Sequence, residues 1–402
     1  MTLALKRIVL AAAACSLTGM ASAQISGDTV KIGILTDMSG IYADIDGPGG
    51  VEAIRMAIAD KKGMVAGKKI ELLYADHQNK ADVAASKARE WLDTQGVDVL
   101  IAGTNSATSL AMMKVAAEKK KPIIVIGGGT ARVTNEDCTP YSIHYAYDTV
   151  SLANGTGSAV TKAGGKTWYF LTVDYTFGQS LQNDTAAVVT KSGGQVLGSV
   201  RHPLSANDFS SFLLQAQSSK AQILGLANAG GDTINAIKAA NEFGITKTMK
   251  LAGLLMFIND IHSLGLPLTQ GMYMTDSWYW NQSPEARAWS RRFFEKIKRM
   301  PSSIQAADYS AAMHFLNAVE AIKSDDADKV MAQMKAAPVN DFYTKGTIRK
   351  EDGRAIHDMV LLQVKTQKES TEPWDYFKVV ERIPGEQAFA KLADSKCPLV
   401  KK

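Results

Sequence analysis

The sequence has 402 residues, of which 46% are hydrophobic and 21% are charged, and its formal net charge is +5. A positive charge this small does not indicate a nucleic-acid-binding or membrane-binding surface. The chain is longer than one ordinary hydrophobic core requires, so we expect two domains.

The first residues are typical of a secretory signal peptide. Lys6 and Arg7 precede an apolar run at residues 8–17, and an Ala-x-Ala site ends at Ala23. We expect residues 1–23 to be removed and the mature protein to be periplasmic. Removal takes away two basic residues and no acidic one, which lowers the formal charge from +5 to +3.

A lipoprotein signal is the competing interpretation, with Cys15 as the attachment site. It is disfavoured because Ala12 lies three residues before Cys15, where a large aliphatic residue is wanted. No later segment approaches the ~20 uninterrupted apolar residues of a transmembrane helix.

The first half of the mature chain alternates strand and helix patterns. Strand patterns occupy residues 30–35, 69–74, 97–102 and 122–126. Between them, Val51, Ile54 and Ile58 share one helical face, and further helical patterns cover residues 84–92 and 110–118. This alternation predicts a parallel sheet with helices on both faces.

A second series of the same kind follows. Its strand patterns lie at residues 168–173, 195–200, 223–226 and 249–252, and its helical patterns at residues 179–190, 209–218 and 233–243. We therefore predict an α/β fold of two doubly wound parallel-sheet lobes. Ligands of open α/β sheets bind beyond the carboxyl ends of the strands, so two such units facing each other would enclose a cleft.

The last third of the chain is less regular. Helical periodicity returns at residues 287–299 and 304–322, and residues 346–364 resemble a hairpin turned at Asp352 and Gly353. From Glu372 onward there is little periodicity, and we expect a tail that wraps over the surface. The cluster of Trp278, Tyr279 and Trp280 is interpreted as core or as cleft rim.

Two cysteines remain after the signal peptide, Cys138 and Cys397. An even pair in an oxidising compartment favours a disulfide, which would fix the C-terminal tail to the middle of the chain. Two separately buried thiols are the alternative, because spacing alone cannot show proximity.

The loop at residues 104–109 follows a strand and opens a helix, which predicts an anion site. Backbone N–H groups around Ala107, the hydroxyls of Ser106 and Thr108, and the helix dipole would all attract a negative charge. An ordinary N-cap with nothing bound is the alternative. In the loop after residues 223–226, the small residues Asn228, Ala229, Gly230 and Gly231 would let a ligand approach the backbone.

Six segments occur in an order that resembles a known family. They are residues 31–40 (KIGILTDMSG), 67–76 (GKKIELLYAD), 96–103 (GVDVLIAG), 173–178 (VDYTFG), 193–198 (GGQVLG) and 208–212 (DFSSF). Over nearly the whole mature chain, the sequence resembles the leucine/isoleucine/valine-binding class of periplasmic proteins of ABC transporters.

The resemblance implies a type I periplasmic binding protein, in which three hinge strands join the lobes. Lobe one would comprise residues 24–143 and 278–338, and lobe two residues 144–277 and 339–402 with the C-terminal tail. The lobes would close on a small-molecule ligand, and the closed form would dock on ABC permease and ATPase subunits of the inner membrane. We expect a monomer without a cofactor.

The resemblance also assigns ligand contacts. Ser106 would contact the ligand, and Gly128 and Thr130 would offer a carbonyl and a hydroxyl. Phe177 would place an aromatic ring on the ligand, with Tyr175 beside it. The remaining expected contacts are Tyr42 and Tyr147. A tight glycine turn at Gly128 and core packing of the two aromatic residues 175 and 177 are the alternatives.

One departure from the family bears on the ligand. Relatives that bind free α-amino acids have an acidic side chain after the strand at residues 249–252, where this chain reads LLMFI at residues 254–258. An unpaired ammonium group in a closed cleft costs several kcal/mol. We therefore expect a ligand with a polar or acidic head and an apolar body against Phe257. Alternatively, Asp232 or Asp148 holds an ammonium group.

Other functions find little support. The six histidines have no metal-ligand spacing, and the glycines at 127–129 lack the G-x-G-x-x-G pattern of a dinucleotide site. An exported hydrolase is the main rival, but the chain has neither a G-x-S-x-G elbow nor an HExxH motif. A ligand sensor that docks on a receptor would use the same closure and stays open as an alternative.

Overall fold

The computed structural model of the protein describes residues 25–401. The predicted signal peptide at residues 1–23 lies outside the described residues. The first six strands form one sheet: β1 (Thr29–Thr36), β2 (Met64–Val65), β3 (Lys68–Asp76), β4 (Val99–Thr104), β5 (Ile123–Gly127) and β6 (Ser142–His144). Three helices connect its main strands: α1 (Gly47–Asp60), α2 (Ala81–Glu90) and α3 (Ser106–Lys119).

The order of this sheet is β2-β3-β1-β4-β5-β6, and all pairs are parallel except β2 with β3. Strands β4 and β5 are apolar and buried along their length, as expected for strands covered on both faces. Helices α2 and α3 pack together on one face. Gly33 makes room there for Trp91, because a Cβ on Gly33 would lie 2.8 Å from the indole ring.

The next four strands form the second sheet: β7 (Thr167–Val173), β8 (Gln195–His202), β9 (Ile223–Ala227) and β10 (Lys250–Gly253). Their order is β10-β9-β7-β8, and every pair is parallel. The helices that lead into this sheet and join its strands are α4 (Thr149–Leu152), α5 (Ser158–Lys162), α6 (Thr176–Lys191), α7 (Ser210–Ser218) and α8 (Gly230–Glu242). The prediction of two parallel α/β sheets is confirmed.

The remaining elements connect and cover the two sheets. In chain order they are α9 (Ile258–Leu264), α10 (Leu266–Thr269), β11 (Tyr273–Asp276), α11 (Pro284–Ile297), α12 (Ser303–Ile322), α13 (Ala327–Ala336), β12 (Val339–Asn340), β13 (Lys345–Ile348), β14 (Ala355–His357), β15 (Met359–Val364), β16 (Phe377–Ile383) and α14 (Gly385–Ala388). Helices α11 and α12 pack against α1 and so cover the first sheet. The later strands form two small sheets, β11-β15-β16 and β12-β13-β14.

Both large sheets have the same topology. Leaving the short β2 aside, each sheet begins with an interior strand, β1 or β7. The next strand, β3 or β8, is added on one side, and all later strands are added on the other side. The direction of winding therefore reverses between β1 and β4 in the first sheet, and between β7 and β9 in the second. A crevice forms at the carboxyl ends of the strands on either side of such a switch point, and ligands of open α/β sheets bind there.

Two predictions for the last third of the chain are wrong in part. The hairpin turned at Asp352 and Gly353 joins β13 to β14 and ends at His357, because β15 pairs instead with β11 and β16. The segment after Glu372 is not an irregular tail, since residues 377–383 form β16. Its exposed middle has no alternating pattern, which explains why the sequence did not reveal it.

The predicted disulfide between Cys138 and Cys397 is confirmed, with Cα atoms 5.6 Å apart. Nearby, the backbone N–H of Lys396 donates to the side-chain carbonyl of Asn135 at 3.0 Å. The last residues of the chain are therefore fixed to the segment between β5 and β6. Among the described residues, no helix is long and apolar enough to cross a membrane. The predicted lobe limits stay a prediction.

Candidate ligand-binding site

A small cavity lies where the switch points of the two sheets face each other. The gaps between its side chains add up to about 240 Å³, open solvent included, and about 10 Å³ of this can take the centre of a water molecule. Its walls come from the loops after β1, β4, β5, β7, β9 and β10 and from the segment after β6. The lining residues are Tyr42, Ile45, Thr104, Asn105, Ser106, Gly127, Tyr147, Tyr175, Phe177, Ala229 and Leu255.

Two larger clefts, of about 1230 and 1620 Å³, lie elsewhere on the surface. One is lined by residues between β11 and α11 and around β12, and the other by residues at the amino ends of β9 and β10. Neither is lined by the loops at the switch points. A third cleft, of about 700 Å³, does lie beside them and is lined by the loop after β1 and by residues of α8 and α9. The smaller cavity is lined by residues at or after the ends of β1, β4, β7 and β9, the strands on either side of the two switch points, and is therefore the site that the fold itself creates.

Asn105 shapes the start of α3. Its backbone has φ of +77°, a left-handed value that asparagine tolerates better than most residues. In this conformation its side-chain oxygen accepts hydrogen bonds from the N–H groups of Ala107 at 2.9 Å and Thr108 at 3.2 Å. Asn105 thus occupies two of the N–H groups that were predicted to bind an anion.

The N–H group of Ser106 remains available, because no described residue accepts a hydrogen bond from it. The hydroxyl of Thr108 does not face the cavity, since it donates to the carbonyls of Thr104 and Asn105. Of the three residues predicted in this loop, the structure places only Ser106 in the cavity wall.

Ser106 is linked to the next loop of the same sheet. Its hydroxyl oxygen accepts the backbone N–H of Thr130 at 3.1 Å. The hydroxyl of Thr130 lies 2.8 Å from that of Ser180 on α6, so Thr130 joins the loops of the two sheets and does not line the cavity. Gly128 is also outside the lining, and a Cβ there would overlap the side chain of Ser109.

Three tyrosines bring hydroxyl groups to the cavity. The hydroxyl oxygens of Tyr42 and Tyr175 lie 3.0 Å apart, and the hydroxyl of Tyr147 donates to the carbonyl of Gly127 at 3.1 Å. Burial raises the pKa of all three phenols well above the usual value. The tyrosines therefore stay neutral and serve as hydrogen-bond donors and acceptors.

The apolar wall combines aromatic and aliphatic side chains. Phe177 is buried beside Tyr175, with ring centroids 6.2 Å apart. Leu255, from the loop after β10, provides the aliphatic part of the wall. Phe257 does not reach the cavity. It packs edge-on against Tyr147 at 6.3 Å and supports that ring from behind.

The small residues after β9 serve a different purpose from the predicted one. Asn228 is buried and bonds to His202 at 3.0 Å and to Thr233 at 2.7 Å, so it does not line the cavity. Gly230 has φ of +55°, and a Cβ there would lie 2.5 Å from the carbonyl oxygen of Ile41. Glycine therefore allows this loop to approach the loop after β1, while Ala229 lines the cavity.

No charged side chain lines the cavity. The two acids considered as partners for an ammonium group are already engaged. Asp232 accepts the N–H groups of Ser205 and Ala206, both at 3.1 Å. Asp148 caps α4 through Ser151 and lies 3.6 Å from the buried guanidinium of Arg354.

Six lining residues were not predicted as ligand contacts: Ile45, Thr104, Asn105, Gly127, Ala229 and Leu255. Thr104, Asn105 and Ala229 nevertheless lie in the two loops that were expected to meet a ligand. Five of the six end a strand or follow one within two residues, and that position was the available signal. Trp278, Tyr279 and Trp280 are buried and lie outside the cavity wall. Within residues 25–401, no group of histidine, cysteine or acidic side chains has the arrangement of a metal site.

Comparison with known proteins agrees with this geometry. A family model described as "Periplasmic binding protein" matches residues 29–370. The chain belongs to the periplasmic binding protein family. Its members bind small molecules outside the cytoplasm, and the resemblance seen in the sequence is thereby confirmed.

Two solved structures of this family are similar over their whole length. A periplasmic binding protein from Burkholderia mallei is 67% identical, with a TM-score of 0.92, and the alignment covers 93% of this chain and 100% of that one. A branched chain amino acid ABC transporter periplasmic ligand-binding protein from Burkholderia xenovorans LB400 is 39% identical, with a TM-score of 0.82 and coverage of 92% and 100%.

Curated members of the family are more distant. The Leu/Ile/Val-binding protein homolog 6 of Brucella melitensis is 26% identical over 256 residues. That alignment covers 63% of this chain and 63% of the relative.

Proposed function

We propose that the protein binds one small apolar or aromatic carboxylate in this cavity and delivers it to an ABC importer. The observation that carries the proposal is the chemistry of the cavity wall. Hydroxyl groups and one free N–H at the start of α3 form its polar part, aromatic and aliphatic side chains form the rest, and no acidic group is present to hold an ammonium ion.

The polar part suits a carboxylate. The N–H of Ser106 lies at the positive end of the α3 dipole, and the Ser106 hydroxyl is adjacent to it. The bond between Tyr42 and Tyr175 uses the proton of one hydroxyl, so the other can donate to the ligand, whereas Tyr147 already donates to Gly127. The body of the ligand would contact Phe177 and Leu255.

Binding of a branched-chain amino acid is the second candidate, and the names of the relatives favour it. The cavity wall opposes it, because Asp148 and Asp232 are engaged elsewhere and the loop after β10 is apolar. A free α-amino acid would leave its ammonium group unpaired, which costs several kcal/mol in a closed site.

A thermal-shift panel separates the two candidates. It would compare benzoate and related aromatic acids with leucine, isoleucine and valine, and with short amides and urea. A ligand that binds only the folded state raises the melting temperature by mass action. We expect stabilisation by aromatic acids and none by the amino acids. Stabilisation by leucine alone would contradict the proposed ligand class.

A variant then tests the site. Ser106→Ala removes the hydroxyl that accepts the Thr130 N–H, and we expect binding of the best aromatic acid to weaken by roughly 1–3 kcal/mol. Thr108→Ala is the matched control, because its hydroxyl donates to the carbonyls of Thr104 and Asn105 and lies outside the cavity wall. Equal affinities of the wild type and Ser106→Ala would remove Ser106 from the site.

The mode of action is part of the same proposal. We infer that the two sheet units form lobes that open to admit the ligand and close around it. The protein would act as a monomer in the periplasm and pass the ligand to permease and ATPase subunits. It would not convert the ligand chemically. Small-angle scattering with and without an aromatic acid tests closure. Unaltered ligand recovered after incubation tests the absence of turnover.

A further inference from the structure

Two buried carboxyl groups face each other directly behind the cavity wall. Asp46 precedes α1, and its Oδ2 accepts the hydroxyl of Thr36 at 2.6 Å and the N–H of Thr104 at 3.0 Å. Asp308 lies on α12 and is fully buried. Asp46 Oδ1 and both oxygens of Asp308 have no donor among the described residues.

The sequence makes room for this pair with two glycines. A Cβ on Gly50 would overlap Asp46 Oδ1 and lie 2.5 Å from Asp308 Oδ2. A Cβ on Gly103 would overlap Asp46 Oδ2. At these two positions only glycine allows α1 and β4 to approach the carboxyl groups so closely. Burial this tight would be costly if both carboxyl groups were charged and unpaired.

Within residues 25–401, no basic side chain contributes to the pKa of either acid. Burial raises the pKa of Asp46 to about 6 and that of Asp308 well above its usual value. Asp37, at the end of β1, adds a further negative charge near Asp46, and Tyr147 faces it from the segment after β6. Strand β4 and the first turns of α3 contribute no charged side chain.

Two carboxyl groups in contact cannot both ionise, because like charges disfavour each other. The protonated member then donates a hydrogen bond to the ionised member, and that bond engages two of the three oxygens that otherwise have no partner. Their protons leave in two steps that belong to the pair. The pair lies behind Thr104, two residues from the Ser106 N–H that is proposed to receive a carboxylate.

We propose that Asp46 and Asp308 share one proton, and that a carboxylate entering the cavity makes the pair take up a second proton from solvent. The second part rests on the proposed function. When the anion binds, the ionised member of the pair acquires a second negative neighbour and its O⁻ accepts H⁺ from water. The charge brought in by the ligand is thereby offset without a basic side chain.

The first part is tested without any ligand. Infrared difference spectra of the full chain between pH 5 and pH 8 should show the carbonyl stretch of a buried, protonated carboxylic acid that persists at pH 7. The band should lose the contribution of the pair in Asp308→Asn, whose amide can donate to Asp46 but cannot titrate. Asp98→Asn is the matched control, because Asp98 is also a buried acid of raised pKa but lies at the amino end of β4.

The absence of this band in the wild type, or its undiminished persistence in both Asp308→Asn and Asp46→Asn, would overturn the shared proton. Burial also raises the pKa of Asp260 and Asp276 to about 7, so a band in the wild type is assigned to the pair by its decrease in the two variants. The absence of the band in the wild type needs no variant for its interpretation.

The second part is tested by calorimetric titration with benzoate in buffers of different ionisation heat. We expect uptake of up to one proton per benzoate near pH 7, and an affinity that rises as pH falls towards 6, by at most about tenfold per unit. Asp308→Asn should bind benzoate without proton uptake, and Asp98→Asn should behave as the wild type. Benzoate binding with no proton uptake by the wild type would overturn the coupling.

Failure of the proposed function is distinguishable. If benzoate and other aromatic acids do not bind at all, the ligand class is wrong and the coupling fails with it, while the infrared band still decides whether the pair shares a proton.

Discussion

The hydroxyl oxygens of Tyr42 and Tyr175 lie 3.0 Å apart, and their hydrogen bond joins the loop after β1 to the residue that precedes α6. A second bond of the same kind joins the hydroxyls of Thr130 and Ser180 at 2.8 Å. Both bonds connect a loop of the first sheet to α6 of the second sheet or to the residue before it. Together with the backbone bond from the N–H of Gly231 to the carbonyl of Ile41 at 3.1 Å, they are among the contacts that opening of the cavity would break.

The tyrosine pair yields the first prediction. Tyr175→Phe leaves the buried hydroxyl of Tyr42 without its partner, which we expect to cost about 1–3 kcal/mol, whereas Tyr42→Phe with Tyr175→Phe removes both groups and should cost less. Thermal unfolding of the three proteins measures the difference. A double variant less stable than Tyr175→Phe would contradict the assignment.

The second prediction concerns Asn105. Asn105→Ala removes the helix cap, and alanine has no side-chain hydrogen bond to stabilise a φ of +77°. We therefore expect the free energy of unfolding to fall by about 1–2 kcal/mol. Asn105→Gly loses the same cap but tolerates the backbone conformation, and should be the milder change. Denaturant titration of both variants checks the order, and the reverse order would show that backbone strain is unimportant here.

The third concerns the disulfide. Cys138 and Cys397 are 259 residues apart in sequence, so the bond closes a large loop in the unfolded chain. Reduction should lower the free energy of unfolding by roughly 2–5 kcal/mol. The measurement is denaturant unfolding with and without dithiothreitol, and Cys138→Ser with Cys397→Ser should not respond to the reductant. A wild type equally stable in both conditions would show that the tail is held by its other contacts.

The two sheets could be predicted from the sequence because burial is encoded locally. Strands such as β4 and β5 are short, wholly apolar runs, and the helices between them carry apolar residues at helical spacing. The exposed strand β16 has no such pattern, since its pairing with β15 depends on a neighbour distant in the chain.

The site was less predictable, for a related reason. Ser106 was predicted because it follows a strand, and the family resemblance supplied Tyr42 and Tyr147; all three line the cavity. Whether a side chain faces the cavity depends on hydrogen bonds that residue type does not reveal. Thr108 donates to the carbonyl of Thr104, and Asn228 is held by His202. The carboxyl pair of Asp46 and Asp308 joins positions 262 residues apart, and no local pattern marks it.

A fourth prediction concerns Arg354, which is fully buried beside the segment after β6. Its guanidinium donates to the carbonyls of Tyr145 and Tyr147 at 3.1 and 3.2 Å and lies 3.6 Å from Asp148. Arg354→Ala removes the partner of a buried carboxylate, and we expect a loss of about 3–5 kcal/mol. Arg354→Ala with Asp148→Asn should lose less, which thermal unfolding would show. Equal losses would indicate that the carbonyl bonds dominate.

The last prediction is a pH dependence at Asp260, the first acid after β10. Burial raises the pKa of Asp260 to about 7, and nearby Asp44 adds to the effect, although Asp260 accepts the N–H of Phe257 at 2.9 Å. The folded protein thus keeps a proton that the unfolded chain releases near pH 4. Below about pH 4 the raised pKa does not affect the free energy of unfolding. As pH rises from about 4 to about 7, it increasingly destabilises the folded state relative to the unfolded chain.

Asp260→Asn keeps an acceptor for Phe257 and cannot ionise, so the wild type and the variant should be similarly stable near pH 4. At pH 8 the variant should be the more stable by on the order of 2–4 kcal/mol, since each unit of pKa corresponds to about 1.4 kcal/mol. Thermal unfolding of both proteins across this range measures the difference. Because the other buried acids are common to both proteins, their effects cancel, and a difference that does not change with pH would mean that Asp260 is already ionised in the folded state.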